Sequence, residues 1–361
     1  MRPEVKVEIA FATRPTEAPT WVDVSQYVRA VDTSRGRNME LDRVEAGTAT
    51  VLLDNRDRRF DPTNVAGPYY GYLLPMRRIR FAATWLGVRY PILAGFVERW
   101  PLRYEDSDAW VAVPCVDGFK VLNMGRLSTN YPEQKSGERV AAVLQDAQWT
   151  MGYNWIVESP INGILGETTY VGPNMEWLIQ TGLTTVQAVT LDKATPLSHM
   201  QDVTETENGT LFVDRGGNLV FWDRHQPLTA PQSESQALFG DADGELSYTD
   251  IELSYDDGLI YNEVSLTREG GTAQVVEDVD SRLKYFRRTY DKSGLLMTAD
   301  EIARSAALYK LAQYREPGVR ASRLIFEGPL PDDVWTALLA REIGDRVTVR
   351  RRPPGGGAMI E

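Results

Sequence analysis

The chain has 361 residues, 51 acidic against 39 basic, and a net charge of −12, which opposes binding to the outside of a nucleic acid duplex. Its length suits two or three domains, and Cys115, the single cysteine, excludes an internal disulfide and cysteine-rich metal sites. No apolar run reaches the length of a secretory signal or a membrane span, so folding in a cytosol without membrane insertion is expected, with Cys115 as a buried small hydrophobe.

Val5 to Phe11 alternates as VKVEIAF, the pattern of a half-buried strand, and Pro15 to Pro19 interrupts it. Extended structure resumes at Trp21 to Val24 and turns near Ser34 to Arg37. Further strands are predicted at Gly47 to Leu53, Arg77 to Trp85, Val88 to Val97 and Trp110 to Val116, with hardly any helical period. Residues 1–116 therefore read as an antiparallel β domain, a sandwich or a barrel. Between two of its strands, Asp54, Asn55, Asp57, Asp61 and Asn64 surround Phe60. Oxygen ligands at such intervals suit calcium, but the run lacks the bend glycine and closing glutamate of the usual loop and contains Arg58 and Arg59. Turns made by Asx side chains explain it better, and no metal is expected.

Residues 117–227 read as a mixed α/β portion. Val140, Val143, Leu144 and Ala147 share a face of a helix predicted over Ser136 to Trp149, with Ser136 as its cap. Asn154 to Asp192 shows no assignable pattern. Leu197, Met200 and Val203 mark a second helix, with Gly209 as its left-handed terminator, leading into a hairpin whose turn is Arg215 to Asn218. Pro227 to Glu234 reads as a linker.

Residues 228–361 read as a second β domain with one long helix. Tyr248 to Tyr255 and Asn262 to Arg268 are predicted strands on either side of the Asp256 to Gly258 turn, and Ala273 to Asp278 adds a third. Thr298 and Glu301 occupy the reciprocal positions of a capping box, opening a helix that runs to Tyr314 and stops at Glu316-Pro317-Gly318. Arg323 to Glu327 and Arg346 to Arg352 are strands, with a short helix at Trp335 to Leu339. Pro353 to Gly357 looks like a hairpin loop followed by only Ala358 to Glu361. The expectation is that another chain pairs the preceding strand or that the polypeptide continues.

The inventory leaves little room for catalysis. His199 and His225 are the only histidines, no nucleophile motif lies beside either, and no phosphate-binding glycine loop is present. Glu205 and Glu207 are the carboxylate pair a glycosidase would need, but two residues apart on a helix they diverge. Trp21, Trp85, Trp100 and Trp110 fall in strands where burial is their ordinary use. Arg350 to Arg352 suits a charged edge strand better than a nucleic-acid contact. No catalytic, cofactor-binding or metal residue is assigned.

In this order, WVDVSQYVRAVDTSRGR, GTATVLLDNRDRRFDPTN, GPYYGYLLPMRRIRFAATW, GTLFVDRGGNLVFWDR and EIGDRVTVRRR resemble stretches of the central hub proteins of phage tail tips and baseplates, the minor tail proteins of long-tailed phages. The resemblance implies two tail-tube-like domains separated by the mixed portion, and a non-enzymatic virion component assembled in the host cytoplasm. It implies a homotrimer that contacts the distal tail protein or tube ring, the tape-measure protein and other tip or fibre proteins. DNA would meet it only in transit. The alternative is a tail-associated cell-wall hydrolase or sugar-binding protein. A conduit for DNA further predicts an acidic channel wall, with Asp241, Asp243, Glu245, Asp256 and Asp257 as candidates, leaving Arg77, Arg78 and Arg350 to Arg352 for protein contacts.

Overall fold

The computed structural model describes residues 2–147, 167–171, 176–356 and 359–360, and the chain is mainly β with α+β parts, as the sequence predicts. Its first third is one antiparallel sheet. The strands are β1 (Glu4–Ile9), β2 (Val22–Asp23), β3 (Val28–Gly36), β4 (Glu45–Asp54), β5 (Arg78–Trp85), β6 (Val88–Val97), β7 (Leu102–Tyr104) and β8 (Ala109–Val116). They pair in the order β2-β1-β5-β6-β8-β4-β3, with β7 added on β8. Because strand side chains alternate between faces, Ala49, Val51 and Leu53 of β4 and Val111, Val113 and Cys115 of β8 all point into one core with Val7, Ile9, Ile79 and Phe81. Phe60, fully buried, stacks with Phe11, Tyr69 and Trp100 and ties the loop after β4 to that core. β5 and β6 slip register at Phe81/Ala82, opposite Pro91, where a residue without an N–H is tolerated. Among the described residues no sheet closes into a barrel.

A short helix, α1 (Phe119–Met124), follows β8 and was not predicted. Next come β9 (Asn130–Tyr131), β10 (Gln134–Lys135), α2 (Ser136–Asp146), β11 (Glu167–Val171), β12 (Glu176–Gln180), β13 (Thr185–Val186), β14 (Val189–Thr190), α3 (Pro196–Glu207), β15 (Thr210–Val213) and β16 (Leu219–Trp222). β15 and β16 form the expected hairpin, whose turn is held by Asp214 Oδ1 accepting from Gly216 N (2.8 Å) and Asn218 N (2.9 Å). They extend a sheet ordered β11-β12-β16-β15. Val140, Val143 and Leu144 of α2 and Met200 and Val203 of α3 pack with Trp177, Ile179, Leu211 and Phe221. Phe96 of β6 and Leu296 join the same core, so it is continuous with the parts on either side.

Both helix ends differ from expectation. Lys135 caps α2, its N–H donating to Glu138 Oε2 (2.9 Å), while Ser136 is already helical and gives its hydroxyl to Glu207. At the end of α3, Asn208 and not Gly209 takes the left-handed conformation (φ 56°). Gly209 serves a different need: a Cβ there would lie 2.3 Å from Trp222 O, so only glycine lets β16 approach. The predicted extension of the α2 helix to Trp149 lies, at 148–149, outside the described residues, as do 154–166 and 172–175 of the stretch left unassigned from Asn154 to Asp192, whose described residues hold β11 to β14.

The last third contains β17 (Leu238–Phe239), β18 (Asp250–Ser254), β19 (Glu263–Arg268), β20 (Gln274–Glu277), α4 (Val279–Tyr285), β21 (Thr289–Leu295), α5 (Asp300–Tyr314), β22 (Arg320–Ile325), α6 (Asp332–Ala340) and β23 (Thr348–Val349). β18 and β19 do not pair across the intervening turn. β18 pairs with β22, β19 lies between β20 and β21, and β17 runs parallel to β23. α5 sets Ala303, Ala307 and Leu311 against Val264, Leu266, Val276 and Leu295. Its predicted capping box does not form. Ala299 is the cap residue, and Asp300 turns to Arg268 Nε (2.5 Å) and Thr272 Oγ1 (2.7 Å), which draws the first turn toward β19 instead. The strand at Arg346 to Arg352 is paired within the chain: Thr348 N donates to Ala237 O (2.9 Å), Arg350 N to Phe239 O (2.8 Å), and Arg351 bridges Ile360. Gly357, Ala358 and Glu361 of the predicted loop and tail lie outside the described residues.

Asp117, at the join of β8 and α1, is buried while accepting from Gly47 N (2.6 Å) and Phe119 N (3.0 Å). Burial pushes its carboxyl up to about 6 despite those two bonds. A folded-state pKa above the unfolded value means that the folded chain holds the extra proton between about pH 4 and 6, so this group stabilises less as pH rises through that window. Urea unfolding of wild type and Asp117→Asn at pH 4, 5, 6 and 7 checks this. The stability difference should move in the variant's favour by roughly 2–3 kcal/mol across the window, and a pH-independent difference refutes it.

Candidate functional site

Three parts of the chain meet around a cleft of about 620 Å³. Its walls are the β3–β4 connection with Arg37, Glu40 and Arg43, the end of α3 with Glu205, β21 with Tyr290 and Lys292, and α5 with Ile302, Tyr309 and Lys310. Glu205 is bracketed by Arg43 Nε (2.5 Å) and Lys292 Nζ (2.7 Å), and Arg43 also reaches Gln201 (2.9 Å) and Asp202 (3.0 Å). Burial opposes the charged form of Glu205, but the two cations outweigh it and hold the carboxyl below its usual range. Lys310 lies over the rings of Tyr290 (4.8 Å) and Tyr314 (5.7 Å), and burial lowers its pKa. Glu40, which accepts from Tyr314 Oη (2.8 Å), is paired with Arg320 (3.5 Å).

Glu205 and Glu207 diverge, as their spacing on a helix predicts. Residues two apart on a helix point in widely different directions, and Glu207 is fully buried on the other side of α3. It accepts from Ser136 Oγ (2.7 Å), Thr184 N (2.7 Å) and Leu183 N (3.2 Å), pinning the start of α2 and the turn at 183–184 to α3. A glycosidase acid needs a raised pKa across a sugar bond from its partner. Glu205 is held ionised and Glu207 faces protein. His199 is packed: its ring stacks on Tyr131 (5.9 Å between centroids), and burial, with Arg139 nearby, pulls its pKa down to about 4. His225 is exposed in the turn after β16. Among the described residues no group of three or more His, Cys, Asp or Glu is placed to hold a metal ion.

No family model and no curated protein matches the sequence. Solved structures do match the fold. The 43 kDa tail protein of prophage MuSo2 from Shewanella oneidensis superposes with a TM-score of 0.51 at 13% identity, over 86% of this chain and 78% of that one. A tail protein from Neisseria meningitidis MC58 superposes with a TM-score of 0.54 at 10% identity, over 99% of this chain and 89% of that one. The chain has a phage tail-protein fold.

Within this tail-protein fold, the remaining candidate residues make contacts inside the chain. In the loop after β4, Asp54 is taken by Arg56 and Arg29, Asp57 by Arg59, and Asp61 by Arg58 (2.7 Å), Thr63 and Tyr104. Asn55 Oδ1 accepts from Phe60 N (2.8 Å), and the Asn64 amide donates to Arg58 O (3.0 Å). Asp54, Asp57 and Asp61 each also accept from the backbone N–H two residues on, Arg56 (3.0 Å), Arg59 (3.1 Å) and Thr63 (2.8 Å), which are the Asx turns read from the sequence. The four tryptophans are dispersed: Arg80 lies over Trp21, Trp85 donates to Asp332 O (3.2 Å), Trp100 donates to Leu74 O (3.2 Å) while stacking in the first core, and Trp110 sits in β8.

The expected division between channel acids and contact arginines needs correcting. Arg352 pairs with Asp241 (2.6 Å) and Glu245 (2.9 Å), Arg351 with Asp241 (3.6 Å) and Arg350 with Glu245 (3.5 Å). The basic run and two of the proposed wall acids therefore neutralise each other, and Arg352 pulls the Glu245 carboxyl down to about 2. Asp257 pairs with Arg288, and Asp256 accepts from Ser254 Oγ. Arg77 is buried and donates to Thr13 O (2.6 Å), and burial depresses the pKa of Arg78 to about 10. Both arginines belong to the packing beside β5, not to an outer contact face.

Proposed function

We propose that the chain is a structural component of a phage tail tip, a hub that closes the tail tube, connects it to the tip proteins and opens for DNA ejection. What supports it is a fold shared along nearly the whole chain with a tail protein, 99% of its length in one superposition. In this reading residues 1–116 and 228–361 are the tube-facing portions and 117–227 the hub between them. Three copies form a ring against the distal tail protein or tube, with the tape-measure protein above. The place of action is the virion tail tip, after assembly in the host cytoplasm. The bracketed Glu205 and buried Glu207 lend no support to wall hydrolysis.

The decisive experiment is a reconstruction of the virion tip with the chain labelled, beside a phage lacking its gene. Threefold density for this chain at the distal end of the tube, and loss of infectious tails without it, are expected. Density elsewhere in the particle, or normal tails without the gene, overturns the proposal. In parallel, purified chain and its Glu205→Gln variant should release no soluble product from cell wall. Release that the variant abolishes would establish an enzyme.

A further inference from the structure

The cleft carries one ammonium that the fold does not neutralise. Lys310 is half-buried on α5, resting on the faces of Tyr290 and Tyr314. Among the described residues no carboxylate comes within ion-pair distance of it, because the nearby acids are already engaged: Glu205 by Arg43 and Lys292, Glu40 by Arg320. A cation withdrawn from water without an anion is costly unless a ligand supplies one. The same cleft is lined by Leu266, Leu295, Met297 and Ile302 beside Tyr290 and Tyr309. Arginine and lysine outnumber Asp and Glu along the lining, although the whole chain carries a net charge of −12. A volume of about 620 Å³ is in the range of sites that enclose a small organic molecule or a few side chains.

From this juxtaposition we infer that the cleft between the β3–β4 connection, α3 and α5 is a binding site for a carboxylate on an apolar stem, with Lys310 receiving the carboxylate and the aliphatic lining receiving the stem. Two sources share that chemistry: a free aliphatic carboxylate and a glutamate flanked by apolar residues on another protein. If the chain is a tail hub, the second source is a neighbouring tail component. That last step alone rests on the functional reading, since the cleft and its lysine stand without it.

Calorimetric titration of the full chain tests the inference with two pairs of probes. One pair is octanoate and octanol; the other is an acetylated, amidated Leu-Phe-Glu-Leu peptide and its Gln counterpart. At least one acid should bind in the micromolar to low millimolar range, and about tenfold or more tighter than its neutral partner, since a charge-assisted bond is at stake. Which acid binds identifies the source. Lys310→Met, which keeps the stem, should lose about tenfold or more of that affinity, and Lys310→Arg should restore most of it. Circular dichroism establishes that both variants fold. The inference is overturned if neither acid binds below 10 mM (roughly the weak limit of a specific site), if the neutral probes bind as well, or if Lys310→Met binds like wild type. None of these results bears on where the chain sits in the virion, so the two proposals fail separately.

Discussion

Replacing Glu342 by alanine is expected to destabilise the chain by about 3 kcal/mol, because one carboxylate serves three parts of the molecule at once. Its Oε1 accepts from Arg35 Nη2 (2.7 Å) at the end of β3 and from Ile343 N (2.8 Å), and its Oε2 accepts from Arg215 N (2.9 Å) in the turn of the β15–β16 hairpin. Arg35 also donates to Val213 O (2.9 Å), and Arg215 Nη1 donates to Leu339 O (2.6 Å). Only 15% of the Arg35 side chain and 18% of the Glu342 side chain is exposed, so alanine would leave a largely buried guanidinium without its counter-ion. Breaking such a pair costs roughly 3–5 kcal/mol in full burial; partial exposure argues for the lower end. Glu342→Gln keeps one oxygen acceptor and should lose only about 1–2 kcal/mol. Urea unfolding followed by tryptophan fluorescence reads both. An alanine variant within about 0.5 kcal/mol of wild type, the range of an ordinary surface substitution, would show that the three parts are not tied at this carboxylate.

Glu342 also marks the limit of what local sequence shows. The strands of the first sheet were legible because their burial alternates residue by residue, as in β4 and β8. The hairpin was legible because its turn chemistry lies inside it. β21 was missed: its sequence TYDKSGL buries only Leu295, and its partner β19 lies parallel to it across β20 and α4, so nothing local announces the pairing. The Thr298 capping box failed for a related reason, a tertiary contact from Arg268 claiming the first turn of α5. The same physics hid the cleft. Arg43, Glu205, Lys292 and Lys310 are ordinary charged residues in sequence, and they become a site only when the β3–β4 connection, α3, β21 and α5 converge. Charge was the least legible quantity of all. Arg350 to Arg352 and the acids near 241–245 looked like independent runs, yet they are each other's counter-ions across more than a hundred residues.

The largest single-residue effect is expected at Gly137, where two principles predict opposite signs. Gly137 is the second residue of α2, and by helix propensity alone alanine there should stabilise by up to about 1 kcal/mol. The packing says otherwise. A Cβ on Gly137 would lie 1.7 Å from Gln180 O and 2.8 Å from the carbonyl carbon of Thr181. Both are backbone atoms, and no rotamer change can move them aside. The close approach exists because the start of α2 is hydrogen-bonded to that segment, Gly137 N to Thr181 O (2.9 Å) and Ser136 N to Thr184 O (3.0 Å). To admit a methyl group the helix must withdraw by more than an ångström, which breaks those bonds and pulls Ser136 Oγ from the buried Glu207 carboxylate, 2.7 Å away. Each buried group left unsatisfied costs about 1–3 kcal/mol. Gly137→Ala should therefore lose about 4 kcal/mol or more, the exceptional end of the range for point changes. Its urea midpoint should fall well below that of wild type. A midpoint at or above wild type would mean that propensity governs this position and that the N-terminus of α2 is not seated on residues 180–184 as described.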